Sequence, residues 1–321
     1  MATEPSPGIV APGFAEPRAV APGIAAIEQP MPGHRLGSSN CYLIATATGA
    51  IVIDPGYDRP DLMARIEHGL CAINRAPGQV ELVILTHNHV DHAEGAGTVR
   101  QHTGAAVALH ADDWEFAASR ALAPEQLDSW GVPEAIAALL LDRVYSDGAS
   151  AHLMLADGQE IRTLGGPLRV VHTPGHTAGS VCLVQDDAGI IFTGDHVLPG
   201  LNPGAGVGGH FAANPLASYL ESLDAMADFA GYTGEPGHGA PITDVPARAE
   251  TIAHHHRRRT REIAEVLARQ PDATVWQIAA SVRWSGGFHS LESGRMISAL
   301  RQTAWHVELS RDDRRNTLAS N

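Results

Sequence analysis

The sequence contains no lysine; all 22 of its basic residues are arginine. Against them stand 36 acidic residues, giving a formal charge of −14. The imbalance is uneven. Residues 1–247 hold 10 arginines and 28 acidic residues, a balance of −18, whereas residues 248–321 hold 12 and 8, a balance of +4. A strongly acidic body disfavours broad electrostatic binding to nucleic acid. Cysteine is scarce as well. Cys41, Cys71 and Cys182 are far apart and form no CxxC pair, which argues against a disulfide framework. Cys41 and Cys182 fall in apolar, strand-like runs and read as small buried hydrophobes. A reducing, cytoplasmic setting fits that usage. No apolar run is long enough to span a bilayer. Met1 to Pro32 has neither the basic start nor the continuous apolar core of a secretory signal. Its seven prolines predict a loose arm, flexible over residues 1–20, that leads into the first strand.

What the sequence does contain is a dense set of metal-capable side chains. Thr86-His87-Asn88-His89-Val90-Asp91-His92 places three imidazoles and a carboxylate within six residues. It follows Val80–Leu85, a short apolar run of strand character. Three further strand-like segments run into the same chemistry. Leu168–Val171 leads to His172-Thr173-Pro174-Gly175-His176, Ile190–Thr193 leads to Gly194-Asp195-His196, and the segment from Gly231 ends in Gly237-His238-Gly239. Glycines flank three of these four sites and permit close backbone approach to a bound ion. Imidazole and carboxylate together suit zinc, with iron or manganese as competitors.

The remaining pattern alternates strands and helices. Strands are expected at 23–27, 40–45, 50–54, 80–85, 106–109, 160–162, 168–171, 180–184 and 189–193, and helices at 60–74, 93–102 and 215–229. Residues 111–148 are rich in Ala and Leu, with Pro124 and Pro133 placed to start helices, and read as a helical insertion.

With these motifs in order, HxHxDH then His, Asp and His, the chain resembles the metallo-β-lactamase superfamily of metal-dependent hydrolases over roughly residues 20–245. The resemblance implies an α/β fold, the four-layer αβ/βα sandwich, with two mixed sheets face to face and helices outside. It implies that His87, His89 and His176 bind one metal, that Asp91, His92 and His238 bind a second, and that Asp195 bridges them. Two Zn(2+) per chain are the implied cofactors. The Asp at the bridging position resembles the glyoxalase II-like and lactonase-like branches and turns the reading away from penicillin or carbapenem hydrolysis. Two cations about 3.5–4 Å apart can hold a hydroxide at neutral pH and polarise the bond it attacks. Asp91 is then the expected catalytic residue, orienting the water and carrying its proton. Asp54, Thr86 and Ser180 are expected to fix imidazole orientation from behind the ligands.

Motifs around His176, Asp195 and Asn214-Pro215 resemble a bacterial subgroup with a small winged-helix domain after the last ligand. Residues 21–247 then form the hydrolase domain and 248–321 a small, mainly helical, winged-helix-like domain. His254-His255-His256 within it reads as part of a solvated helix face. The expected activity is hydrolysis of a thioester, ester or lactone of a small or medium organic substrate. Fungal relatives of the subgroup act as thioesterases, and human ones resemble endoribonucleases, so phosphodiester cleavage is the alternative. A di-iron oxidoreductase and a subunit that needs a partner chain are further readings. The tail is expected to pack on the hydrolase, close its pocket or make a homo-oligomer. Specificity is expected in residues 111–148, in the glycine-rich segment 200–211 and in the tail. His196, His210, Phe211 and Trp130 are the candidate substrate contacts.

Overall fold

The fold is taken from a computed structural model, which describes residues 14–114, 122–141, 149–209 and 211–319. Among the described residues twelve strands form two sheets. The first sheet is ordered β1 to β7: β1 (Arg18–Ala21), β2 (Ile24–Pro30), β3 (Ser38–Ala45), β4 (Ala50–Ile53), β5 (Val80–Ile84), β6 (Ala106–His110) and β7 (Leu153–Leu155). It is antiparallel up to β4 and parallel from β4 to β7. The second sheet is ordered β12-β11-β10-β9-β8, with β8 (Glu160–Thr163), β9 (Gly166–His172), β10 (Val181–Gln185), β11 (Ile190–Gly194) and β12 (Thr233–Pro236). Only β11 and β12 are parallel in it. These are the two mixed sheets expected.

Period-2 alternation explains the layers. In β3, Tyr42 and Ile44 face inward and meet Val170, Leu183 and Phe192 of the other sheet. Their neighbours Cys41 and Leu43 face outward onto Leu62, Ile66 and Leu70 of α1 (Leu62–Ala72) and Val99 of α3 (Ala96–Thr103). On the far side, Cys182, Val184 and Ile191 meet Leu216, Tyr219 and Leu223 of α6 (Pro215–Asp224) and Ile252 of α7 (Val245–Arg269). Central strands such as β4 and β10 are therefore buried on both faces, which is why they read as continuous apolar runs.

Several expectations change. Of the arm expected over residues 1–20, residues 1–13 lie outside the described residues, and Arg18–Ala21 is a strand that pairs with β2, its Arg18 guanidinium bonded to the buried Glu235 carboxylate. Strand β7 is too short and too exposed to have been legible. The insertion forms α4 (Pro124–Ser129) and α5 (Glu134–Leu141), with proline at the first position of α4 as expected. The expected break at 247/248 lies inside α7. That helix starts with Asp244 accepting from the Ala247 amide and runs unbroken for 25 residues, with no Pro or Gly past its first turn. It is followed by α8 (Val275–Ser281), opened by a Thr274–Gln277 capping box, and by α9 (Ser293–Ala319). Among the described residues no strand follows β12, so the tail is three helices without the wing that the resemblance implied. Nor is any helix long and apolar enough to cross a membrane.

Candidate metal centre

Topology gathers the ligands. The parallel pairs β4–β5 and β11–β12 bring their carboxyl ends to one edge of the sandwich, where ligand sites in α/β folds sit. The β9–β10 connection turns at the same edge. There the Val181 amide donates to the Thr86 carbonyl at 2.9 Å and joins the two sheets. His87 and His89 follow β5. Asp91 and His92 lie in a single helical turn, α2 (Val90–Ala93), rather than in an open loop. His176 sits in the β9–β10 turn, Asp195 just after β11 and His238 just after β12.

All seven predicted ligands converge. The donor atoms of His87, His89, His176 and Asp195 lie within 4.8 Å of one another, and so do those of Asp91, His92 and His238. The Asp195 carboxylate stands between the groups. Its Oδ2 is 3.7 Å from His176 Nε2, while its Oδ1 is 3.5 Å from both His92 Nε2 and His238 Nε2. Asp195 Oδ1 is buried without a hydrogen-bond partner. A buried carboxylate oxygen in that state is the chemistry a cation satisfies. Imidazole nitrogens also face each other at hydrogen-bond distance, converging on common points. His89 Nδ1 is 2.9 Å from His87 Nε2 and 3.1 Å from His176 Nε2, and His92 Nε2 is 3.1 Å from His238 Nε2.

The outward nitrogen of each imidazole is tied to an oxygen. His176 Nδ1 meets the Gly204 carbonyl at 2.9 Å, His238 Nδ1 the Ser38 carbonyl at 2.8 Å, and His89 Nε2 the Val207 carbonyl at 3.3 Å. His92 Nδ1 meets Asp54 Oδ2 at 3.0 Å. His87 Nδ1 meets Thr86 Oγ1 at 3.0 Å, and that hydroxyl donates to Asp54 Oδ2 at 2.6 Å. Asp54 thus fixes one imidazole of each group, directly or through Thr86, which settles their tautomers. Its backbone has a positive φ of 50°, the turn that ends β4 and aims its carboxylate at the site.

Charge follows the same division. Burial, with the neighbouring imidazoles, holds His87 well below the ordinary imidazole range, and burial lowers His176 as well. Burial also opposes charge on His92, but Asp195, Asp91 and Asp54 push it up to about 10. Against the same burial penalty, Asp195 and Asp91 raise His238, and His92 and His238 hold the Asp91 carboxyl far below its usual range. Asp91 and Asp195 therefore call for positive charge beside them, and divalent cations supply it.

Two close backbone approaches explain the glycines. A Cβ on Gly237 would lie 2.6 Å from both Asp195 Oδ1 and His92 Cε1. Gly194 has φ +48°, and a Cβ there would lie 2.5 Å from Thr86 Oγ1.

Other expected residues fall elsewhere. Ser180 touches no ligand; its hydroxyl accepts from the Thr177 amide and pairs with Thr177 Oγ1, tightening the His176 turn. His196 is 1% exposed, packs edge-on against Tyr219 and meets the Ser222 carbonyl, so it cannot contact substrate. Trp130 is buried between α4 and the tail helices. Phe211 lines a neighbouring cavity of about 460 Å³ with Trp305 and Arg301, not the one over the ligands. His210 lies outside the described residues. Segment 200–209 is zipped to the His176 turn: Gly206 and Val207 donate to the Gly175 and His176 carbonyls, and the Ala178 amide to Gly208.

The structure adds residues that the sequence reading passed over. Asp113 is fully buried and accepts from the Asn88 amide, Thr177 Oγ1 and the Gly179 amide, so it locks the two ligand turns together. Burial pushes its carboxyl up to about 6 despite those donors. A second acidic residue at a strand end, in His110-Ala111-Asp112-Asp113, was the signal for it. Asn40 clamps the His238 turn through the Pro236 and Gly239 carbonyls. The cavity over the ligands measures about 480 Å³. His89, Asp91, His176 and Asp195 form its floor; Leu198 and Leu201 from the loop after β11, with Trp284, Leu291 and Arg295 from the tail, form its walls.

The family model described as the metallo-beta-lactamase superfamily matches residues 34–275. The chain belongs to this superfamily. It has the mixed α/β fold that the superfamily shares, and its His and Asp clusters are of the kind that hold divalent metal. Among curated relatives, it is 28% identical over 267 residues to "Lactamase-like protein nscB" of Aspergillus fumigatus, covering 82% of this chain and 66% of that protein. It is 28% identical over 257 residues to "Atrochrysone carboxyl ACP thioesterase" of Aspergillus chevalieri, covering 78% of this chain and 69% of that protein. The chain thus spans about two thirds of the length of these relatives. Among solved structures, a metallo-beta-lactamase family protein from Thermus thermophilus superposes with a TM-score of 0.70 at 27% identity, over 92% of this chain and 95% of that one. A beta-lactamase domain protein from Burkholderia ambifaria gives a TM-score of 0.76 at 24% identity, over 93% and 90%.

Proposed function

We propose that the chain is a dinuclear zinc hydrolase that cleaves a thioester or ester, with lactones next in order, in a small or medium organic substrate. The observation that carries this reading is the split Asp195 carboxylate, one oxygen toward His176 and the other toward His92 and His238. His87, His89 and His176 would hold one cation, Asp91, His92 and His238 the other, and Asp195 would serve both. Two such cations supply a nucleophile at neutral pH and polarise the carbonyl under attack. Asp91 is the candidate ligand assigned the proton work, since its carboxylate lines the cavity. Its carboxylate would receive the proton given up by the attacking water and pass it to the leaving group. The apolar walls at Leu198, Leu201 and Leu291 suit an acyl chain and exclude water from it. The thioesterase name of one relative supports the choice of a thioester.

Metal analysis together with hydrolysis of a panel of thioesters, esters and lactones tests the reading. Two zinc ions per chain, activity abolished by chelation, and a loss in kcat of about 10²-fold or more in Asp91→Asn are expected. Chelator-insensitive turnover would sink it, as would full activity in Asp91→Ala.

A further inference from the structure

A second cavity, of about 400 Å³, opens beside the one over the ligands and shares His34, Val207, Arg295 and Ser298 with it. Its lining is the reverse of the body's charge. Arg35, Arg295 and Arg301 stand around it, with Glu292 as the one acidic residue among the described residues of its wall. Arg35 comes from the β2–β3 turn, held by the Met31 amide on the Gly37 carbonyl and the His34 amide on the Met31 carbonyl. Arg295, Ser298 and Arg301 follow one another at i, i+3 and i+6 along α9 and so share a face.

Several arginines elsewhere are committed to carboxylates. Arg18, Arg59, Arg65, Arg169, Arg257 and Arg258 each sit within 4 Å of an Asp or Glu. Among the described residues Arg35 and Arg295 have no such pairing, although acidic residues outnumber arginines in the chain. Arg295 donates to the Ser285 carbonyl at 3.1 Å, which steadies the side chain and leaves its charge uncompensated. Arg301 is 7% exposed and lines both this cavity and the one beside Phe211. Guanidinium groups grouped this way match phosphate or carboxylate oxygens.

We propose that Arg35 and Arg295, with the buried Arg301 in the wall behind them, form an anion subsite that selects acyl substrates carrying a phosphate or carboxylate away from the bond that is cleaved. The proposal rests on the hydrolase reading for its substrate class and on the paired cavities for its place. A long polyanion is not the fitting occupant, because the surrounding body has a balance of −18 and would repel it.

The test compares one acyl bond with and without a distant anion. S-butyryl-N-acetylcysteamine carries none, butyryl-coenzyme A adds phosphates on the thiol side, and S-glutaryl-N-acetylcysteamine adds a carboxylate on the acyl side. In each, the oxygen of water bonds to the carbonyl carbon, the carbon–sulfur bond breaks and the thiol leaves with a proton. The zinc-loaded enzyme should favour one anionic substrate over the neutral one by about tenfold or more in kcat/KM, chiefly through KM, as a charge-assisted hydrogen bond gives. The favoured arm tells phosphate from carboxylate. Arg35→Gln and Arg295→Gln, both at exposed positions, should cut that ratio at least about fivefold, and Arg35→Glu should cut it further. Ratios near one in the wild type, ratios unchanged in the variants, or a preference for single-stranded RNA over all three thioesters would overturn the subsite.

If the wild type cleaves no thioester, the subsite is judged by binding, and the hydrolase reading fails only if esters and lactones are left uncleaved as well. Calorimetric titration of the zinc-loaded protein with desulfo-coenzyme A and with glutarate should then show binding of one of them that Arg295→Gln weakens. Equal binding to wild type and variant, or binding of neither, would overturn it.

Discussion

Asp54 is a single buried carboxylate that reaches both ligand groups, His92 directly and His87 through the Thr86 hydroxyl. Removing an outer partner of this kind weakens metal affinity by about 10- to 100-fold. Asp54→Ala should therefore lose affinity for both cations together, measured by chelator competition, and a loss confined to one cation would contradict the shared role. Gly237→Ala makes a sharper case. Its new Cβ would press on Asp195 and His92 from backbone that cannot retreat, because the Gly237 amide bonds the Gly194 carbonyl at 2.7 Å. Metal content should fall by about one ion per chain while far-ultraviolet circular dichroism stays native. At this scale the convergence of the seven candidate ligands was legible because their residue types and their strand-end positions are both sequence properties. The groups behind them were only partly so. Asp54 announced itself at a strand end. Ser180 and His196 stand next to the right residues and face the wrong way, since neighbours in sequence diverge by a full face in a strand or turn. Asp113 acts across 64 residues on Thr177, a pairing that no local pattern records.

At the scale of elements, α7 carries two packing duties. Its first half, with Val245, Ala249 and Ile252, covers the second sheet, and its second half, with Ile263 and Leu267, meets α8 and α9. The His254-His255-His256 run straddles the change. His256 is 1% exposed, donates from Nε2 to the Pro203 carbonyl, and stacks 5.9 Å from His306 of α9. The expected solvated face is corrected for this residue, because position 256 follows Ile252 by one turn on the buried side of α7. Burial lowers His256 to about 4, and His306 also lies well below its usual range. A lowered histidine pKa means that the folded state binds fewer protons than the unfolded chain. Stability from the neutral form is present above about pH 6.5 and is lost as pH falls toward 4. By the usual 1.36 kcal/mol per unit, His256 alone accounts for roughly 3 kcal/mol over that window. Urea unfolding at pH 7.0 and 5.0 should show the loss, and His256→Gln should flatten it; equal slopes would refute the assignment. The helices themselves were visible in apolar spacing. The absent wing was not, because periodicity marks a helix but does not say what lies beyond its ends.

At the scale of the whole molecule, the ligands come from both sheets and from turns far apart in the chain. Bound metal would therefore clamp the open edge of the sandwich, and occupancy should appear as stability. At a free metal concentration near 100 times Kd the gain is about 2.7 kcal/mol per site. For a chain of this size that corresponds to roughly 4 °C in Tm per site. A calorimetric scan before and after dialysis against chelator checks it, and an unchanged midpoint would show that the clamp is not mechanical.

The wall opposite the metal floor has a separate consequence. Trp284 and Leu291 lie in the connection between α8 and α9 and Arg295 on α9, and these helices hold none of the candidate ligands. Those helices are anchored on the α4–α5 insertion through Leu127, Trp130 and Leu140. Reactivity and taste are thus encoded in different stretches of the gene. A lineage could exchange what it digests by rewriting the tail and its buttress, while the codons that keep the metals remain untouched.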